Sequence, residues 1–316
     1  MTARAARKIP VYLAVCSSYD RAVVASLLEE MAGPLGLASS YSGQTVLLKP
    51  NLISAAAPAL ACTDAGFIAG VALWFLEHGA RVHIGDSPAF GTAARAMHRH
   101  GIAAALHGLA VEPVEFVTPI RRVLPCGYAV DLAAEALDCD LLVNLPKIKA
   151  HNQTYVTLAV KNVFGLVIGM RKAILHMREG GRGGRFVEVI LDLLDLLPPH
   201  LIIADGIVAM HRDGPINGEA LALGCVAASG NPIAVDTALL ALLELDPSRS
   251  PLWRESARRG MAGSSLTDLV YPALPPAAFA GAGFTAPGEL NPIRFNPLRF
   301  VRGMVRRFVL ALRPQL

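Results

Sequence analysis

Lysine and histidine recur at short spacing in residues 144–170, NLPKIKAHNQTYVTLAVKNVFGLVIGM. Lys147, Lys149 and His151 alternate along the chain, so an extended backbone points all three the same way. Lys161 follows in LAVKNVFG. No Asp or Glu occurs between Asp140 and Glu179, while Lys147, Lys149, Lys161, Arg171, Lys172 and Arg178 all fall inside that gap. Cations without local carboxylates suit an anionic small molecule: a carboxylate, a phosphate, or an enolate formed during a reaction. Crowded lysines also depress one another's pKa, and a neutral lysine can act as a base.

These residues need elements to position them. Short β-rich runs, at 11–16, 45–48, 81–85, 111–117, 140–144, 201–204 and 223–228, alternate with helix-length segments at 20–31, 64–78, 91–100, 186–197 and 232–245. Thr63 is expected to cap the second helix and Gly79 to stop it. Asn231 followed by Pro232 marks the start of the last. The alternation predicts an α/β fold. Its sheet is mostly parallel or mixed, with helices on both faces in a Rossmann-like layering. In such sheets ligands bind beyond the carboxyl ends of the strands. Four predicted strands end there in polar residues: Lys49 and Asn51; Asp86; Asn144 with Lys147, Lys149 and His151; and Asp205. Each alone is equally a loop residue, a helix cap or a solvated edge. Together they form the pattern of a pocket. Asp86 and Asp205 are expected to supply the missing carboxylates or to share a divalent cation, Mg²⁺ before zinc.

The rest of the composition narrows the classes. The chain has 316 residues, 53% apolar and 17% charged, enough for a large core. Its net charge is +4, but residues 289–316 carry six Arg against one Glu, which leaves the body near neutral and gives no reason to expect nucleic acid. The five cysteines (Cys16, Cys62, Cys126, Cys139, Cys225) are scattered without a CxxC pair, so neither a disulfide framework nor a resident iron–sulfur cluster is expected. The first apolar run reads as a strand rather than a signal peptide, and no run is long enough to span a membrane. No nucleophile elbow, phosphate loop or dinucleotide fingerprint is present. Expected organisation is an α/β domain over 1–262, an Ala/Pro/Gly connector over 263–288 and a basic tail over 289–316.

The run LLVNLPKIKAHNQTYVTLAVKNVFG, followed by His176, resembles the core signature of the domain-of-unknown-function 362 family. VLLKPNL, VHIGDSP, ADGIVAMHRDGPINGE and ASGNPIAVDTALL resemble its other segments. The resemblance covers residues 11–245 and singles out Lys49, Asn51, Asp86, Lys147, Lys149, His151, Lys161, Asn162, His176, Asp205 and Asp236. Many relatives carry a ferredoxin-type module. That module is missing here, so the resemblance implies at most a separate ferredoxin-type partner. In the leading reading His151, Lys149 and Lys161 are catalytic, with His151 moving the proton. Lys49, Asn51, Lys147, Asn144 and Asn162 bind substrate, and Asp86, Asp205, Asp236 and His176 support the site or hold a metal. Asp236, inside a predicted helix, is expected to brace the site or bond the Asp205–Gly206 turn.

The tail is a second feature. At ~100° per residue, Arg299, Arg302, Arg306 and Arg313 fall within an arc of roughly 60°, opposite an apolar face. Residues 297–313 are therefore expected to form an amphipathic helix. It lies on an anionic membrane surface or packs on protein. The expected location is cytoplasmic, with a peripheral place at the inner membrane surface as the alternative.

Overall fold

The computed structural model describes residues 8–169, 175 and 184–290. His176 and the tail helix expected over 297–313 lie outside the described residues.

The strands that read as apolar runs assemble into one ten-stranded mixed sheet. Five run parallel in the order β4 (Val111–Pro113), β3 (Arg81–Ile84), β2 (Thr45–Pro50), β5 (Leu141–Leu145) and β8 (His200–His211). On the far side of β8, β10 (Cys225–Ser229) pairs antiparallel, and β1 (Tyr12–Val15) pairs antiparallel with β10. Beyond Pro146 the chain resumes as β6 (Lys147–His151), which continues along β8 with Asp205 opposite Lys147. Two short strands complete the sheet, β7 (Tyr155–Thr157) on β6 and β9 (Glu219–Leu221) on β8.

Side-chain alternation sorts these strands between two faces. Val46, Leu48, Val143, Leu145 and Ile203 pack on one side, with α1 (Arg21–Leu35), α2 (Ala65–Glu77) and α3 (Ala93–Arg99). On the other, Leu47 and Leu142 meet α5 (Arg185–Asp192), while Ile202, Ala204 and Ala227 meet α6 (Pro232–Leu242). Between β7 and α5 lies a single helical turn, α4 (Ala159–Asn162). Local chemistry starts the helices. The Asp20 carboxylate accepts from Ala22 N and Val23 N at the head of α1, and Asn231 accepts from Ala234 N before Pro232 opens α6.

Several expectations need correction. Asp205 is not at a strand's end. β8 runs through it to His211, because β6 and β9 extend the ladder past the point where β5 stops. Lys147, Lys149 and His151 belong to a strand rather than to a loop after one. Asp64, not Thr63, caps α2, accepting from Gly66 N at 2.8 Å. The Thr63 hydroxyl instead ties two strand ends together, accepting from Asn51 N at 2.8 Å and donating to the Leu145 carbonyl at 2.7 Å. The strand expected over 111–117 stops at Pro113, since its neighbour β3 ends at Ile84. The hairpin Pro119–Val123 with Ala129–Ala133 was not foreseen.

Candidate functional site

Two buried lysines, Lys49 and Lys147, find their carboxylates on distant segments. Lys49, at the end of β2, meets Asp86 Oδ1 at 2.8 Å as an ion pair without an aligned hydrogen bond. Asp86 Oδ2 accepts from Leu52 N at 2.9 Å. Lys147 donates to Asp205 Oδ2 at 2.8 Å across the β6–β8 register. Asp205 also accepts from Asp64 N at 2.9 Å, which fastens it to the head of α2. Tyr19 closes this group. Its hydroxyl donates to Asp205 Oδ1 and accepts from Lys147 Nζ and Val208 N, each at 2.9 Å. Burial, then the Asp205 charge, push the Tyr19 phenol far above its ordinary range. Burial raises the Asp64 carboxyl too, with Asp205 adding to it. Asp86 and Asp205 are thus each engaged by a lysine. Among the described residues no three His, Cys, Asp or Glu side chains converge to hold a metal.

Lys149 differs from its two neighbours. It is 2% exposed, and its ammonium donates to Asn51 Oδ1 and the Ala61 carbonyl, both neutral. Among the described residues no carboxylate pairs with it, and an ammonium has three donors. Burial pulls its pKa down to about 7; the Lys147 and Lys49 charges add to the fall, while Cys62 and Asp86 oppose it. Asn51 in turn donates to Asn162 Oδ1, Asn162 donates to Asn144 Oδ1 at 2.7 Å, and Asn144 donates to the Ala159 carbonyl at 3.0 Å. Three amides thus point their carbonyl ends toward Lys149, in a chain whose members polarise one another.

Asp236 anchors the far end of this chain. Its Oδ1 accepts from Ala159 N at 2.8 Å and Val160 N at 3.3 Å, the first N–H groups of α4. Of the two roles expected for Asp236, bracing is observed, and its bonds run to α4 rather than to the Asp205–Gly206 turn. Burial raises its carboxyl to about 8, against the pull of those two N–H groups. His151 is 6% exposed, and its Nδ1 accepts from Gln153 N at 3.1 Å and Thr154 N at 3.3 Å. A ring nitrogen that accepts carries no proton, so in this geometry the proton sits on Nε2. In this geometry the Nε2–H of His151 is a hydrogen-bond donor. Lys161 lies over the rings of Phe164 and Phe186, 5.0 Å from each, on the α5 side of α4.

Sequence reasoning missed Tyr19, whose partners stand on distant elements, and read Thr63 as a helix cap rather than as a tie between two strand ends. Gly165, the last residue of the KNVFG run, had its signal in the motif. A Cβ there would overlap Lys49 Nζ and Asp86 Oδ1, so any larger residue has to displace the buried ion pair or the turn. A separate cleft of about 540 Å³ opens beyond β6. Among the described residues Asp213 and Glu289 are the charged groups that line it.

A mixed α/β sheet that carries two buried lysine–carboxylate pairs describes the class. The chain matches the family described as Domain of unknown function (DUF362) over residues 46–241, well over half its length, and belongs to that family. A Thylakoid-associated protein of Synechocystis sp. is 34% identical over 270 residues, covering 82% of each chain. Two solved structures show distant likeness. One, from Thermotoga maritima, has 11% identity and a TM-score of 0.41, covering 66% of this chain and 56% of that one. The other, the lactate racemase apoprotein of Thermoanaerobacterium thermosaccharolyticum, has 12% identity and a TM-score of 0.42, covering 69% and 54%. The chain spans just over half the length of these two structures.

Proposed function

We propose that this protein binds an anionic small molecule and transforms it by proton transfer, with Lys149 as the base. One observation carries the reading. Lys149 is buried within β6, held by two neutral acceptors, and among the described residues no carboxylate pairs with it, unlike Lys147. With a pKa near 7, it is an amine for a large fraction of the time at neutral pH. On taking a proton it becomes a buried cation that no carboxylate among the described residues pairs with, which favours an anionic product such as an enolate. The pairs Lys49–Asp86 and Lys147–Asp205 hold the surrounding backbone.

The test uses a panel of small carboxylates and phosphates in D₂O, with ligand binding read by thermal shift and solvent deuterium incorporation by NMR. At least one compound is expected to bind and exchange. Lys149→Met should then lower the exchange rate about 10²–10⁴-fold. Exchange that survives in Lys149→Met rules Lys149 out as the base.

A second proposal concerns location. No helix among the described residues is long and apolar enough to cross a membrane. The 34%-identical relative is named thylakoid-associated. That name supports a peripheral membrane role for the basic segment 297–313.

A further inference from the structure

The strand pair that carries Lys149 holds a second buried polar group. β7 pairs antiparallel with β6, and Thr157 stands directly opposite Lys149 in that register. Residues opposed in this way project from the same side of the sheet. The flanking residues agree. Val156 and its partner Ala150 pack with Ile148 and Leu158 in the apolar core, which leaves Thr157 on the other side, with Lys149. Thr157 is 3% exposed, yet among the described residues its Oγ1 has no hydrogen-bond partner. Most buried hydroxyls are bonded, because leaving one unbonded costs free energy.

We propose that Thr157 is a substrate-binding residue whose hydroxyl donates to an oxygen of the anion that Lys149 serves. The proposal rests on the proton-transfer reading and deepens it. A threonine hydroxyl has one proton to give. It gives the site a neutral donor that stays in place whether Lys149 is an amine or an ammonium. The ligand chemistry it fits is an oxyanion, a carboxylate or a phosphate, whose oxygen replaces the missing partner.

Thr157 is well held for this part. Its branched side chain is stiff at χ1. On one side the ladder to β6 fixes its backbone. Two residues on, the Ala159 carbonyl accepts from Asn144 at 3.0 Å, and Ala159 N donates to Asp236 Oδ1 at 2.8 Å. Asn144 belongs to the amide chain that ends on Lys149. Hydroxyl and amine are therefore carried by one hydrogen-bonded frame. Two other buried threonines nearby show the contrast. Thr154 donates to the Val156 carbonyl at 3.0 Å, and Thr63 to the Leu145 carbonyl at 2.7 Å.

The test is Thr157→Val on the full-length protein, which keeps the shape and removes the hydroxyl, with Thr157→Ser as the variant that restores it. The probes are acetate and inorganic phosphate, and their affinities are read by titrating the melting temperature. At least one probe is expected to raise the melting temperature of wild type. Thr157→Val should weaken that probe about 10–100-fold, the worth of a hydrogen bond to a charged group, and Thr157→Ser should recover most of the loss. Without a probe, Thr157→Val should melt no lower than wild type, because it gives up no bond among the described residues. A lower melting temperature without a probe, an unchanged affinity in Thr157→Val, or no response of wild type to either probe overturns the proposal. The base assignment fails separately, through deuterium exchange that survives in Lys149→Met. Weaker binding in Thr157→Val together with that survival would keep Thr157 as a binding residue and remove Lys149 as the base.

Discussion

At the scale of single residues, the site is governed by the cost of burying charge. Three lysines lie almost wholly inside the protein, and each meets that cost differently. Lys49 and Lys147 stay paired with Asp86 and Asp205, while Lys149 sheds its proton more easily. This has a consequence for stability. The folded pKa of Lys149 lies below its unfolded value, so the unfolded chain binds more protons between about pH 7 and 10.5. The burden of burying this lysine is full below about 7 and fades as pH rises toward 10.5. Lys149→Met carries no such burden, although it leaves Asn51 Oδ1 and the Ala61 carbonyl without a donor. Its stability relative to wild type is therefore expected to be greatest near pH 6. It should fall steadily toward pH 10 by up to ~1.4 kcal/mol per pH unit. Urea unfolding of both proteins across that range reads the trend directly. A flat difference would mean that Lys149 titrates normally.

At the scale of elements, the site depends on turns that come unusually close together. The stretch after α4 lies against the Lys49–Asp86 pair, and Gly165 is what permits the approach. Gly165→Ala should push the pair apart. Separating a buried ion pair leaves an uncompensated charge and costs about 3–5 kcal/mol. A large fall in melting temperature is expected, with ligand binding lost alongside. An unchanged melting temperature would show that the turn can move away freely. Asp236 plays the complementary part from α6, holding the start of α4 so that Asn162 faces Asn144. The KNVFG run and the later Asp-containing helix are thus one device, built from segments far apart in the chain.

At the scale of the whole molecule, charge is divided between the α/β body and the basic tail. The 28 residues at 289–316 hold a local charge of +5 against about −1 for the remainder, since the total is +4. A peripheral membrane role predicts that the full chain sediments with anionic liposomes, weakens with rising salt, and loses this binding when residues 291–316 are deleted. Equal sedimentation of both forms would place the membrane contact elsewhere, and no sedimentation of either would end the proposal.

Much of this was readable before any coordinates. Apolar runs of strand length alternating with capped helices determined an α/β sheet covered on both faces, because such strands must bury both sides. The spacing of Lys147, Lys149 and His151 determined that they share a side, because a strand repeats every two residues. The lack of local carboxylates pointed to distant ones; Asp205 is that partner for Lys147, while Asp86 pairs with Lys49, outside the gap. Only the tertiary structure decided how the charges are shared. It carried β8 past Asp205, pairing it with Lys147, and left Lys149 with two neutral acceptors. It also brought Tyr19 to the Lys147–Asp205 pair. Those outcomes depend on register and burial, which arise between segments far apart in sequence. A residue's type tells what it can bond, but its proton is settled by the neighbours the fold supplies.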